Sequence, residues 1–213
     1  MTPLSRIDGV AVALPAADID TDQILPARFM HVPRDDYGRY CFHDLRFDIA
    51  TGARRDDFPL NRAPFSAAQI VIAGPNFGCG SSREQAVHTL ADFGIRALIG
   101  TTFGDIFFNN CLKNGVLPIC MSDAFVARLF DAVAHAPGAQ VQIDLPAQRV
   151  VAPDGHADHF AIDAFHKEAL LAGLDEIDVT LQLDARIDAY EQAHAIRTPV
   201  TSSRFTTHQK ENP

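Results

Sequence analysis

The sequence contains little cysteine, and the cysteines present are not arranged for metal binding or disulfide formation. Only four occur among the 213 residues: Cys41, Cys79, Cys111 and Cys120. No two of them form a C-x-x-C pair or the spacing of a ferredoxin motif, so we expect no cluster or metal held by this chain alone. Free thiols without a disulfide pattern are typical of a reducing compartment.

Positive charge is also scarce. There are 18 lysine and arginine residues against 27 aspartate and glutamate residues, which gives a formal net charge of -9 and a pI near 5.3. This balance argues against nucleic acid or an anionic membrane surface as a partner. No apolar run approaches the length of a membrane span, and the short run Val10–Leu14 predicts a first strand rather than a signal. A cytoplasmic location is therefore expected.

The most informative feature that is present is the segment Asn76–Glu84, which reads Asn-Phe-Gly-Cys-Gly-Ser-Ser-Arg-Glu. It has no Walker lysine, and an arginine stands where a dinucleotide fingerprint requires a small residue. It also contains no G-x-S-x-G nucleophile elbow. Phosphate binding is therefore disfavoured, and so is the activity of an independent serine hydrolase.

The flanks of this segment predict a strand, a loop and a helix. The apolar, β-branched run 68–73 precedes it, Ser82–Phe93 carries apolar residues at helical spacing, and another apolar run, 96–100, follows a helix stop at Gly94. A parallel β-α-β crossover is the simplest arrangement, and loops at the carboxyl ends of such strands commonly bind ligands. The expected fold class is α/β with one core, which 213 residues of 47% hydrophobic content can form.

The residue types in the segment suit an acid substrate. Gly78 and Gly80 permit backbone conformations that other residues avoid and would let a ligand approach the main chain. The free N–H groups of a helix start favour an anion, and Arg83 supplies a planar fork for a carboxylate. A purely structural interpretation is also open, because Ser81 and Glu84 have the spacing of a capping box. Arg83 favours the functional interpretation, since a cap does not require it.

The same segment resembles the signature of the small, swivelling domain of the aconitase superfamily, in particular that of 3-isopropylmalate dehydratase small subunits. Similar segments extend over most of the chain: 20–24, 58–61, 103–111, 114–119 and 173–177. The resemblance implies a single swivelling β/β/α domain over residues 1–197, built on the parallel β-α-β core. We expect the Ser/Thr-rich segment 198–213 to be a mobile polar tail.

The resemblance also implies an active site shared between two chains. A large subunit would hold a [4Fe-4S] cluster that polarises the hydroxyl group of a small hydroxy-acid substrate. By position, Ser81 would be the base that moves the proton beside a carboxylate, and Ser82 and Arg83 would hold substrate oxygens. Asp22 would lie at the edge of the site, and Arg28 would contact a further carboxylate. The implied reaction interconverts 2-isopropylmalate and 3-isopropylmalate by dehydration and rehydration, in leucine biosynthesis.

Two departures from the family pattern keep other functions open. Gln85 stands where the family usually has histidine, and glutamine cannot carry charge. The segment His31–Arg39, at the position of the family's substrate-selecting loop, is more polar than a pocket for an isopropyl group requires. One alternative is the small subunit of a related hydro-lyase of the citraconate (2-methylmalate) or homoaconitate type. Another is an accessory subunit without catalysis.

Downstream, the pattern predicts a further series of helices and strands. The helices are expected at 103–114, from a cap at Ser122 to about 135, at 164–171 and at 185–195, and the strands at 116–121, 141–145, 149–151 and 160–162. Phe103 and Phe107 are predicted to be core residues. Phe108 and the pair Asn109-Asn110 would lie near the large subunit if the resemblance holds.

Overall fold

The computed structural model describes residues 1–193 and has a mixed α/β architecture. The strands are β1 (Arg6–Leu14), β2 (Ile70–Ala73), β3 (Ala97–Gly100), β4 (Leu117–Cys120), β5 (Gln140–Asp144), β6 (Arg149–Val151) and β7 (Ala157–His159). The α-helices are α1 (Thr21–Ile24), α2 (His43–Arg46), α3 (Gln85–Phe93), α4 (Asp105–Lys113), α5 (Asp123–His135), α6 (Ala164–Ala172), α7 (Glu176–Leu181) and α8 (Asp184–Ala193). Short 3-10 helices occupy Ala27–Phe29, Arg34–Tyr40, Pro59–Asn61 and Phe65–Ala67.

One seven-stranded sheet, ordered β4-β3-β2-β1-β5-β6-β7, organises the molecule. The long strand β1 joins its two halves. Residues 11–14 pair in parallel with β2, with Ala11 opposite Ile70, whereas residues 6–10 pair antiparallel with β5, with Gly9 opposite Val141. The strands β4, β3, β2 and β1 are therefore parallel and end at the same edge, which is the edge where ligands bind in such sheets.

Both faces of the parallel half are buried, which explains its continuous apolar runs. All four residues of β2 are buried. Ile70 and Ile72 face a core cluster that includes residues of α5, whereas Val71 and Ala73 face a second cluster that includes residues of α3 and α4. The predicted parallel β-α-β core is confirmed, because β2 and β3 pair in parallel on either side of α3.

Most of the predicted elements downstream are also confirmed. Gly94 ends α3 in a left-handed conformation with φ +110°, and the Ser122 side chain caps α5 by accepting a hydrogen bond from the Phe125 N–H. The predicted strand 160–162 is wrong. The third strand of the antiparallel half is β7, which ends at His159. Phe160 follows it and is buried in the core, so the apolar side chain of Phe160 indicated burial and not strand pairing.

The chain divides into two compact units, Met1–Glu176 and the segment that begins at Ile177. The predicted domain over 1–197 therefore stays a prediction, and the predicted tail at 198–213 lies outside the described residues. Large apolar side chains on α7 and α8 are exposed, among them Ile177, Leu181 and Tyr190. None of the helices between residues 1 and 193 is long and apolar enough to cross a membrane.

Candidate active site

The segment Asn76–Glu84, called the signature loop below, lies at the carboxyl edge of the parallel strands. It follows β2 and runs between the segments that follow β1 and β3. The Gly78 N–H donates to the Ile19 carbonyl at 2.7 Å on one side, and the Gly104 N–H donates to the Phe77 carbonyl at 3.0 Å on the other. The loop is thus held by main-chain hydrogen bonds to two neighbouring connections.

The two glycines of the signature loop have different structural roles. At Gly78, which has φ +77°, an added Cβ would lie 2.2 Å from ring atoms of Phe107, so the backbone packs directly on a buried aromatic ring. We predicted that a ligand would approach the main chain here, and for Gly78 the close neighbour is instead Phe107. Gly80 is needed for its conformation, because its φ is +95° and the nearest atom to an added Cβ, in Asp20, is 3.5 Å away.

The helix after the signature loop begins later than predicted. Helix α3 starts at Gln85 and its N-cap is Glu84, with no hydrogen bond from a capping side chain. Ser81 and Ser82 therefore precede the helix, and the capping box of Ser81 and Glu84, which was the alternative interpretation, does not form. The reason is that other parts of the chain bind the loop: Asn110 Nδ2 donates to the Ser82 carbonyl at 3.2 Å, and the main chain of Ser81 is bonded to a side chain from α1.

Arg83 is the most buried charged group in this region. Its side chain is only 9% exposed, and its Nη1 donates to Asp22 Oδ1 at 2.8 Å and to the Leu25 carbonyl at 3.2 Å. Asp22 is more than half exposed, at 56%. The Nε atom of Arg83 is buried and has no hydrogen-bond partner among the described residues. The ion pair therefore joins α1 to the signature loop and leaves Arg83 with unused hydrogen-bonding capacity.

The two serines of the signature loop are open to solvent. Ser81 and Ser82 are both exposed, and within residues 1–193 the Ser81 hydroxyl makes no hydrogen bond. Their neighbour Arg83 is mostly buried. Free hydroxyls and a guanidinium can bind or exchange protons with an acid, but within the unit Met1–Glu176 nothing covers the two serines to exclude water.

A polar network between α3 and α4 supports the loop from the other side. Asn114 Nδ2 donates to Glu84 Oε1 at 2.7 Å, and its Oδ1 lies 3.0 Å from His88 Nε2. Burial, followed by the neighbouring charge of Arg34, lowers the pKa of His88 below its ordinary value. The neutral imidazole is therefore favoured in the folded protein.

Arg28 is already engaged with an acidic side chain. Its Nη1 donates to Asp44 Oδ2 at 2.8 Å, its Nη2 donates to the other oxygen of the same carboxylate, and its guanidinium stacks on Phe29 at 4.5 Å. The hydrogen bond to Arg28 is the largest cause of the lowered pKa of Asp44. A substrate carboxylate could use Arg28 only by displacing Asp44, so the role carried over to Arg28 remains a prediction.

The polar segment His31–Arg39 packs against α3, the helix that follows the signature loop. Arg34 Nη2 pairs with Asp92 Oδ1 of α3 at 2.9 Å, and the Thr89 hydroxyl donates to the Tyr37 carbonyl at 2.8 Å. Tyr37 is buried. Part of the polarity of this segment therefore serves to attach it to α3.

The cysteines do not suit a cluster site. Cys41 and Cys111 are fully buried, Cys79 is half-buried and Cys120 is exposed. Burial raises the pKa of Cys41 to about 12 and that of Cys111 well above its ordinary value, which disfavours the thiolate that would bind iron. Nowhere between residues 1 and 193 do three or more His, Cys, Asp or Glu side chains come together in a way that could hold a metal ion.

Comparison with known proteins assigns the chain to a family. The model of the Aconitase C-terminal domain matches residues 1–124, and a model described as LeuD_N matches residues 127–164. The 3-isopropylmalate dehydratase small subunit of Rhodospirillum centenum is 46% identical over 200 residues, which cover 93% of this chain and 98% of that protein. The chain belongs to the 3-isopropylmalate dehydratase small-subunit family.

Further relatives agree with this assignment. A small subunit of the same name from Rhodopseudomonas palustris strain HaA2 is 46% identical over 192 residues, covering 90% of this chain and 95% of the relative. The crystal structure of a 3-isopropylmalate dehydratase from Methanocaldococcus jannaschii has a TM-score of 0.62 and 26% identity, and the match covers 87% of this chain and 99% of that one. The resemblance and the α/β fold predicted from the sequence are confirmed.

Sequence reasoning did not identify two side chains that hold the signature loop. Thr21 binds the main chain of Ser81, and Asn110 binds that of Ser82. Both lie in segments that carried the family resemblance, but a sequence does not reveal which side chain bonds to a distant main chain. Asp22 and Arg83, which the resemblance assigns to the site, are in direct contact.

Proposed function

We propose that this chain is the small subunit of a 3-isopropylmalate dehydratase and that it interconverts 2-isopropylmalate and 3-isopropylmalate together with a large subunit. The observation that carries the proposal is the exposed pair Ser81-Ser82 beside the buried, ion-paired Arg83, at the carboxyl edge of a parallel sheet. Relatives of nearly the same length that bear this name support it. In such an enzyme the activity belongs to leucine biosynthesis.

The reaction requires two kinds of group. Dehydration removes the substrate hydroxyl and a proton from the neighbouring carbon, which gives an alkene and water. Rehydration returns the hydroxyl and the proton in exchanged positions. One group must accept and return the proton beside a carboxylate, another must polarise the hydroxyl, and further groups must hold the carboxylates in place.

Ser81 is the proposed base. A serine hydroxyl is a weak base at neutral pH, and Ser81 lies before α3, so the helix dipole, which acts within the first turn, contributes little to its activation. The nearby charge of Arg83 and the exclusion of water by a partner subunit are the sources that we propose instead. Fixed charges in a dry site stabilise an alkoxide far more than they do in water.

Arg83 and Ser82 are the proposed carboxylate ligands. The guanidinium has five N–H donors, and those of Nη1 bind Asp22 and the Leu25 carbonyl. The other donors remain for a substrate oxygen. Asp22 lies at the edge of the site and fixes the guanidinium. Arg28 is a further candidate that would first have to leave Asp44.

The four cysteines of this chain, all within residues 1–193, do not suit a [4Fe-4S] cluster, so we place the cluster on the large subunit. There it would supply the Lewis acid that polarises the substrate hydroxyl. The contribution of this chain is then to present the two serines and Arg83 to a substrate held between the subunits. The exposure of both serines supports this division, because a lone chain leaves the base in water.

The decisive test mixes this chain with its candidate large subunit after anaerobic reconstitution of the cluster. Alkene absorbance is followed with 2-isopropylmalate, citraconate and homoaconitate, with each chain alone as a control. We expect activity in the mixture only, highest with 2-isopropylmalate. Preference for another acid would identify a related hydro-lyase, and a stable complex that turns over none of them would indicate an accessory subunit.

The role of the base is tested by Ser81→Ala against Ser66→Ala, a matched change at an exposed serine outside the site. Loss of a general base typically lowers turnover by about 10²–10⁴-fold. We expect a loss of that size for Ser81→Ala and none for Ser66→Ala. Near-normal turnover of the Ser81→Ala complex would remove Ser81 from the mechanism.

A further inference from the structure

We infer that Thr21 is a positioning residue for the reaction, because its buried hydroxyl holds Ser81 by both main-chain groups of that serine. The inference rests on the proposed function, in which Ser81 is the base. Thr21 makes no direct contact with the reacting atoms in this scheme. It acts through the backbone that carries them.

A single side-chain oxygen makes both contacts. The Ser81 N–H donates to Thr21 Oγ1 at 3.1 Å, and Thr21 Oγ1 donates to the Ser81 carbonyl at 3.3 Å. A hydroxyl has one donor and two acceptor sites, so it can serve both groups at once. When the N–H and C=O of Ser81 are fixed, its Cα–Cβ bond is fixed as well. The exposed hydroxyl of Ser81 is therefore confined to the few rotamers about that bond.

Thr21 is itself held in place. It is only 1% exposed, and its own N–H donates to the Cys79 carbonyl at 2.9 Å. It is the first residue of α1, whose capping box is formed by Asp20 and Gln23: the Gln23 N–H donates to Asp20 Oδ1 at 2.7 Å and the Asp20 N–H to Gln23 Oε1 at 3.0 Å. A side chain with this support can act as a rigid reference point.

The loop conformation brings Ser81 to this hydroxyl. Gly80 precedes Ser81 with φ +95°, and an added Cβ on Gly80 would lie 3.5 Å from Thr21 Oγ1. The loop therefore turns directly over Thr21. Without the hydroxyl, the Ser81 main chain loses both of these bonds and gains freedom, while the Ser82 carbonyl stays bonded to Asn110. A misplacement of about 1 Å in a reacting group can lower a rate by about 10²-fold.

The test compares Thr21→Val, which keeps the shape and removes the hydroxyl, with Thr21→Ser, which keeps the hydroxyl. Each variant is assembled with the large subunit. We expect Thr21→Val to lower kcat by about 10–100-fold, with KM and the affinity of the complex changed by less than about threefold. Thr21→Ser should recover most of the lost kcat. A merely structural role would lower stability and complex formation together with activity, and would not separate kcat from KM.

Amide hydrogen exchange of the isolated chain provides a readout that needs neither substrate nor partner. We expect the Ser81 amide to be protected in the wild type and in Thr21→Ser, and to exchange faster in Thr21→Val, while the amide of Gly78 stays protected. An unprotected Ser81 amide in the wild type, or a Thr21→Val complex with normal kcat, would overturn the inference. A wild-type complex that is inactive with every acid would instead refute the proposed function.

Discussion

Replacing Gly78 by alanine tests the claim that the signature loop is seated on a buried ring. The new Cβ would lie 2.2 Å from two atoms of the Phe107 ring, far inside van der Waals contact. Phe107 cannot easily retreat, because it is 2% exposed and packs edge-on against Phe77 with ring centroids 5.7 Å apart. The backbone at Gly78 also has φ +77°, a region that alanine avoids.

Two terms determine the magnitude. A left-handed conformation lowers the free energy of unfolding by about 1–2 kcal/mol for an L-residue. The smaller conformational entropy of alanine in the unfolded chain offsets about 0.4–1 kcal/mol of that loss. Overpacking of a tight core adds about 1–3 kcal/mol. Gly52→Ala is the matched control, since Gly52 has φ +69° but no atom within 4 Å of an added Cβ. The control should therefore lose about 1 kcal/mol and Gly78→Ala about 2–4 kcal/mol.

Urea denaturation of both variants, followed by circular dichroism, measures the difference in the free energy of unfolding. We expect Gly78→Ala to be less stable than Gly52→Ala by about 1–3 kcal/mol, which exceeds the usual extrapolation error. A Phe107→Leu background should reduce this gap, because the smaller side chain leaves room for the added Cβ. Equal stabilities of the two variants, within about 0.5 kcal/mol, would refute the packing argument.

Three further predictions follow from charge and burial. In the native protein a thiol reagent should modify Cys120, which is exposed, and leave the buried Cys41 unmodified until the chain unfolds, as mass mapping would reveal. Because the fold lowers the pKa of His88, the unfolded chain binds a proton at this residue more readily than the folded chain does. The free energy of unfolding should therefore fall as the pH drops below about 6.5. His88→Gln should weaken that fall, which urea titrations at several pH values would measure. Asp22→Asn should loosen Arg83 and raise KM by about fivefold with under about 1 kcal/mol loss of stability, since Asp22 is 56% exposed; unchanged kinetics would contradict this.

The parallel half of the fold was predictable because its signals are local. The runs around Ile70 and Leu98 are apolar at every position, and Gly94 marks the end of the helix between them. The position of β1 in the centre of the sheet was not predictable, since its pairing with β2 and β5 depends on segments far apart in the sequence. The prediction of a strand at 160–162 was wrong for a related reason. The apolar side chain of Phe160 is buried in the core, and burial alone does not specify strand pairing.

The candidate site shows the same limit. The residue types of the signature loop indicated an acid-binding function, but the helix start was placed too early. The local sequence around Ser81 is compatible with a capping box, and the bonds that prevent it come from Thr21 and Asn110, which are distant in the chain. Contacts of side chains with remote main-chain groups carry no periodic signal that a sequence could display.

Side chains of α1 and α4 hold the signature loop, and the side that carries its two serines is open to solvent. Thr21 binds it from α1, Asn110 binds it from α4, and Phe107 fills the space beneath Gly78. Rigid support of this kind reduces the freedom that a reacting group must lose when substrate binds. It does not remove water, because Ser81 and its neighbour remain exposed. Under the proposed function, this chain therefore positions the reacting groups, and the large subunit excludes water from them by covering the open side. For this reason neither subunit should be active alone.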